Sequence, residues 1–211
     1  MAGSLDLPPG AAQYLPVLIQ EINSQWAGVP YPSVLAAQVE QESRWKPGAT
    51  ARNPKNNGEI GAGLGQFTKT NKFDALTELK DKYPLLFKYW SWSDPYNVEY
   101  QLRAVVIKNR DNYLSIDWAK DDCNRMAMMD AAHNQGLGGV RFRRRLCANT
   151  PGCDPTVWWG NMELTSGQST KANVGYKQSF AEITNTHVRN VMIVRRGKYI
   201  FMDDPAVRQC K

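Results

Sequence analysis

The sequence predicts a mainly α-helical domain with little or no β-sheet. Apolar residues recur at three- and four-residue spacing along several segments. Those segments are joined by short polar loops rich in glycine, proline and asparagine. One stretch alone, residues 198–202 (KYIFM), reads as a short strand. The chain of 211 residues carries 42% hydrophobic and 22% charged residues, shows no internal repeat or low-complexity linker, and is read as a single domain over 1–211.

The elements follow in order. Residues 11–25 make an amphipathic helix. Ser33 is a suitable N-cap for a helix from Val34 to about Arg44, and Pro47 lies just past its end. Residues 51–65 (ARNPKNNGEIGAGLG) read as an Asn- and Gly-rich loop. Over 97–112, Val98, Leu102, Val105 and Val106 fall on one helical stripe. A helix over 123–134 is stopped by Gly136, Gly138 and Gly139. The run RFRRR (141–145) is expected to be a solvated helix end, with contact to an anionic wall polymer as the functional alternative. Residues 178–194 form a last helix, with Ile183, His187 and Val191 on one face. Tyr89, Trp90, Trp92, Tyr96, Trp158 and Trp159 are expected mostly in the core, although aromatic faces also stack on sugars.

Charge narrows the partners without choosing one. A net charge of +6 and a pI near 9.1 suit nucleic acid, a membrane surface or an acidic cell-wall polymer. No nucleic-acid-binding motif is present. The first twenty residues lack a basic n-region and an unbroken apolar stretch, so no signal peptide is expected, and no stable membrane insertion either. Cys123, Cys147, Cys153 and Cys210 form no CxxC pair and accompany only two histidines, so no metal and no cofactor is expected. Three disulfide pairings are possible. Cys147 and Cys153 flank a turn-like ANTPG and suit a small loop, while free buried thiols are the other reading.

The stretch VEQESRWKPGA (39–49) holds two glutamates, Glu40 and Glu42. Leu35, Val39 and Glu42 stand at i, i+4 and i+7, which puts Glu42 on the apolar stripe. Glu40 is turned about 200° away, toward the polar side. A carboxyl on an apolar wall is disfavoured in its charged form, and a carboxyl that stays protonated is what a general acid needs. The structural alternative is a salt bridge from Glu42 to Arg44 or to a remote arginine.

The surrounding motifs sharpen this. Glu42-Ser43, Trp45, Pro47 and Gly63-Leu64-Gly65-Gln66-Phe67 resemble the signature of the soluble lytic transglycosylases and their goose-type lysozyme relatives. DPYNVEYQLRAVV (94–106), AAHNQGLGGV (131–140) and EITNTHVRNVM (182–192) resemble the family's later motifs, in the family's order. The likeness spans about residues 31–194, leaving 1–30 as a helical extension and 195–211 as a tail. The sequence also departs from the pattern. Gln66 follows Glu42 by 24 positions, so 52–60 reads as an insertion; Gly65 replaces a usual Met; His133 and His187 replace tyrosines; and 145–175 diverges.

The resemblance implies a lysozyme-like helical fold and cleavage of the β-1,4 bond between N-acetylmuramic acid and N-acetylglucosamine in peptidoglycan; a monomer is expected. Glu42 is then the catalytic acid. Ser43, Gln66, Phe67, His133, Asn134 and Glu182 lie along the substrate, with His133 orienting the acid and Asn134 on an N-acetyl group. As bare residues, Ser43 is a helix-end cap, His133 a core histidine and Glu182 an ion-pair partner. A lytic transglycosylase needs no second carboxylate. A hydrolytic goose-type lysozyme does, and Glu59 and Asp74 are the nearest candidates, both expected to be solvated loop charges. Without an export signal, the expected setting is a bacteriophage protein. It would be made in the host cytoplasm and reach the wall after release, or be carried in the virion. A non-catalytic wall-binding or virion structural protein is the alternative of another class.

Overall fold

The computed structural model describes residues 6–165, 177–207 and 210. Among them the chain runs through helices α1 (Pro9–Gln25) and α2 (Pro32–Ser43), then strands β1 (Thr50–Asn53), β2 (Glu59–Ala62) and β3 (Phe67–Lys69). Helices α3 (Ala75–Lys82), α4 (Val98–Leu114), α5 (Asp122–Gln135), α6 (Leu137–Ala148) and α7 (Phe180–Arg189) follow. The fold is mainly helical, as the sequence predicts. Two units emerge: one runs up to Ala27 and includes Gln38–Ile107, the other holds Gly28–Ala37 and Lys108 onward. No helix among the described residues is long and apolar enough to cross a membrane.

In the first unit, α1 opens with proline at its first position, where a missing N–H costs nothing. It buries Ala11, Leu15, Leu18 and Ile22 along one stripe. Its Glu21, only 5% exposed, receives Nε and Nη2 of Arg103 on α4 at 3.1 and 2.9 Å, a bidentate pairing that compensates the buried charge.

The three strands form an antiparallel sheet in the order β1-β2-β3. The segment expected to be a loop is therefore largely a hairpin. Its turn places Asn57 and Gly58 at φ 51° and 68°, the left-handed pair that matches strand twist. Thr50, Ala62 and Phe67 stand opposite one another, so they share a face. Residues 90–96 cover that face. The Trp90 ring meets Phe67 edge-on at 5.3 Å and stacks on Tyr100 at 6.2 Å, and Tyr96 shares a 2.8 Å hydrogen bond with Thr50. Trp90 is core, as expected, whereas Tyr89 is 76% exposed.

In the second unit, α5 is buried without a break from Met126 to Ala132. It ends at Gly136, whose φ of 83° few other residues adopt. The chain then re-enters α6 at once, so Gly136 alone separates two helices, and Gly138 and Gly139, also expected to stop α5, lie in the first turn of α6. The basic run 141–145 lies on α6 and is not uniformly solvated, because Arg143 is 1% exposed. Its guanidinium donates to Asn185 Oδ1 at 2.9 Å, Gln135 Oε1 at 3.2 Å and the Glu163 carbonyl at 3.2 Å. Burial lowers the Arg143 pKa to about 10, with the Glu163 charge opposing.

After α7 the chain continues through a π-helical stretch (Asn190–Arg195) into a 3₁₀ stretch (Arg196–Met202). The short strand expected at 198–202 is thus absent. Arg196 and Tyr199 are buried, three residues apart, as 3₁₀ winding requires. Disulfides Cys123–Cys210 and Cys147–Cys153 use all four cysteines. Ser33, expected as the N-cap of α2, lies inside the first turn. Asp203 reaches in to accept its amide at 2.9 Å and its hydroxyl at 2.7 Å.

Candidate active site

Helix α2 is enclosed: every residue from Ser33 to Glu40 is buried. This corrects the reading of Glu40, which is 5% exposed instead of facing water. Helical phase separates a wet face from a dry one only where the helix has a wet face. Enclosure ends at Gln41 and Glu42, both half-buried. Glu42 is thus a carboxylate at the point where α2 emerges.

The backbone beyond it is unusual. Arg44 and Trp45 have φ of 52° and 61°. Two consecutive non-glycine residues in the left-handed region cost on the order of 1 kcal/mol each, and surrounding packing must hold them there. Trp45 is 1% exposed. Gly10 of α1 approaches so closely that a Cβ there would lie 2.3 Å from the Trp45 carbonyl oxygen. Gln66, at φ 45°, is another left-handed non-glycine position in this unit.

The turn after α2 is tied to the Gly63–Phe67 turn. The Ala49 carbonyl accepts the Gly63 amide at 2.8 Å and Gln66 Nε2 at 3.3 Å. Gln66 Nε2 also donates to the Gly63 carbonyl at 2.9 Å, so this side chain straps the turn on which it sits. Gln101, on α4, accepts the Leu64 amide at its Oε1 and donates Nε2 to the Pro47 carbonyl at 3.3 Å. Sequence reasoning missed Gln101; a polar residue inside the apolar stripe of α4 was the available signal.

The other predicted residues of this unit are placed as follows. Ser43 is 7% exposed and its hydroxyl donates to the Val39 carbonyl at 3.0 Å, the local bond a helical serine commonly makes. Phe67 is 2% exposed against Trp90. Its ring is packed within the core of this unit. Glu59 accepts Asn56 Nδ2 at 2.7 Å. Asp74 caps α3 through the amides of Leu76 and Thr77, and both its oxygens accept Trp92 Nε1 at 2.9 Å. Burial alone would push the Asp74 carboxyl up, yet the Trp92 bond, the Thr77 and Leu76 amides and the Lys69 ammonium hold it below the usual range. Neither acid is a simple solvated loop charge.

In the second unit, the end of α5 meets α7. The His133 ring stacks near-parallel on His187, with centroids 6.3 Å apart. His187 Nε2 lies 3.3 Å from Asp130 Oδ1, and Asp130 is fully buried. Asn134 is exposed, and its Oδ1 accepts the Thr184 hydroxyl at 2.8 Å. Glu182 is exposed and closes a capping box, accepting the Ser179 amide and hydroxyl at 2.8 Å each. Those bonds hold its carboxyl below the ordinary range. Glu182 also lines a groove of about 370 Å³ with Glu163, Gln178, Asn185, Thr186 and Arg189. Asp130 was missed, although an aspartate inside MAMMDAA marks a buried polar group.

No protein-family model matches this chain, and no curated protein matches it significantly.

Proposed function

We propose that this protein degrades peptidoglycan as a lytic transglycosylase, with Glu42 as its acid and then its base. Glu42 protonates the departing glycosidic oxygen as the C1–O4 bond breaks. The positive charge on the muramoyl ring is met by its own N-acetyl oxygen, the substrate-assisted route open to N-acetylated sugars. The ionised Glu42 then takes the proton of the muramoyl 6-hydroxyl, whose oxygen closes on C1. The products are a 1,6-anhydromuramoyl end and a free 4-hydroxyl, and Glu42 is returned in its acid form.

One observation carries the choice of a single-carboxylate mechanism. Glu59 and Asp74, the carboxylates a hydrolytic lysozyme would use to place water, are both engaged locally, one by Asn56 and the other by a helix cap and Trp92. Glu42 stands where an enclosed helix emerges, and the likeness of its flanking motifs to the lytic transglycosylases supports the same reading.

The test is Glu42→Gln on purified cell walls, with mass spectrometry of the released fragments. The variant is expected to lose about 10²–10⁴-fold in rate, and the wild type to release anhydro ends. A variant as active as the wild type would exclude Glu42 as the acid. Reducing ends in place of anhydro ends would show hydrolysis.

A further inference from the structure

We propose that Gln101 is the positioning residue that sets the Glu42 carboxyl for proton transfer, by fastening the turn after α2 to the Gly63–Phe67 turn. This rests on the reading of Glu42 as the acid. Gln101 is fully buried. Its oxygen serves the Leu64 amide and its nitrogen the Pro47 carbonyl, so one side chain joins the two loop segments that carry the candidate catalytic motifs. The Gly63 turn is built around it: a Cβ at Gly63 would lie 2.1 Å from Gln101 Oε1.

The join matters because the intervening backbone does not hold itself. Arg44 and Trp45 occupy left-handed conformations that L-residues avoid. On one side Gly10 abuts the Trp45 carbonyl. On the other, Gln101 holds the Pro47 carbonyl. The two anchors bracket the turn that begins two residues after Glu42. Proton transfer demands close placement, and an error of about 1 Å costs on the order of 10²-fold in rate. Only a group that donates at one atom and accepts at the other satisfies both backbone partners.

Two variants test this: Gln101→Leu, which removes both bonds, and Gln101→Glu, nearly isosteric with glutamine. Gln101→Leu is expected to lower kcat about 10²-fold and to leave KM within about twofold. In Gln101→Glu the protonated carboxyl reproduces both bonds, O–H to the Pro47 carbonyl and C=O from the Leu64 amide. Once ionised, it sets a negative oxygen against that carbonyl. Its kcat relative to wild type, taken per folded molecule with the folded fraction measured at each pH, is therefore expected to climb toward unity as pH falls; loss of stability alone lowers the folded fraction and leaves that ratio unchanged. A folded Gln101→Leu with wild-type kcat would overturn the proposal. So would a Gln101→Glu ratio that does not change with pH, and this ratio decides the matter if Gln101→Leu does not fold. If Glu42→Gln is inactive while both Gln101 variants are unimpaired, the positioning role alone fails. If Glu42→Gln is unimpaired, the reading of Glu42 fails and the positioning role with it.

Discussion

Asp203 holds Ser33 by both its amide and its hydroxyl, at 2.9 and 2.7 Å. The same carboxylate accepts Arg196 Nη2 at 3.0 Å, with both partners nearly inaccessible to solvent. Removing one member of such a pair leaves the other charge buried and costs about 3–5 kcal/mol. Asp203→Ala is accordingly expected to destabilise the fold by about 3 kcal/mol, measured by denaturant unfolding. A loss below about 1 kcal/mol would place the arginine in solvent contact and contradict the buried pair.

The two disulfides are expected to contribute unequally. Cys123–Cys210 joins residues 87 apart and Cys147–Cys153 residues 6 apart. Constraining the unfolded chain stabilises by about 4.6 kcal/mol for the long loop and about 2 kcal/mol for the short one. Cys123→Ser and Cys147→Ser, compared by thermal unfolding under oxidising conditions, should rank in that order; the reverse order would refute it.

Asp74 should shape the acid limb of stability. Its carboxyl titrates lower in the folded protein than in the unfolded chain. The stabilisation it gives is therefore complete above the ordinary aspartate pKa, and is lost as pH falls through the folded value. Asp74→Asn is expected to lower the melting temperature at neutral pH and to flatten its decline in acid. Parallel wild-type and variant curves across the acid range would show that Asp74 adds nothing pH-dependent.

Gly10 has no room for a side chain beside the Trp45 carbonyl. Gly10→Ala should displace the turn after α2 and destabilise by about 1–3 kcal/mol, the usual cost of overpacking. Wall lysis should fall by more than the lost fraction of folded protein accounts for. Unchanged stability and activity together would mean that α1 yields freely at this point.

The helices were legible where one face is wet and the other dry, as in α1. In α2 the same phase argument misplaced Glu40, because that part of the helix is enclosed all round. The sheet was hidden by its strands of three or four residues, and β1 is mostly exposed. Asn57-Gly58 was nonetheless a hairpin signal in plain view. The short apolar run at 198–202 winds as a 3₁₀ helix instead of a strand. Of the site residues, Glu42 and Gln66 could be singled out by pattern. The partners of Asn134 and Ser33 stand 50 and 170 residues away, and no local pattern encodes them. Glu182, at N3 behind Ser179, was a readable capping box.

The hold of Asp203 on Ser33 also fixes an order of events during synthesis. The carboxylate that closes the first turn of α2 is made 170 residues after the serine it holds. At synthesis rates of about 5–20 residues per second, a nascent chain spends many seconds with that helix end open. The first turn of the helix is therefore closed only once Asp203 has left the ribosome.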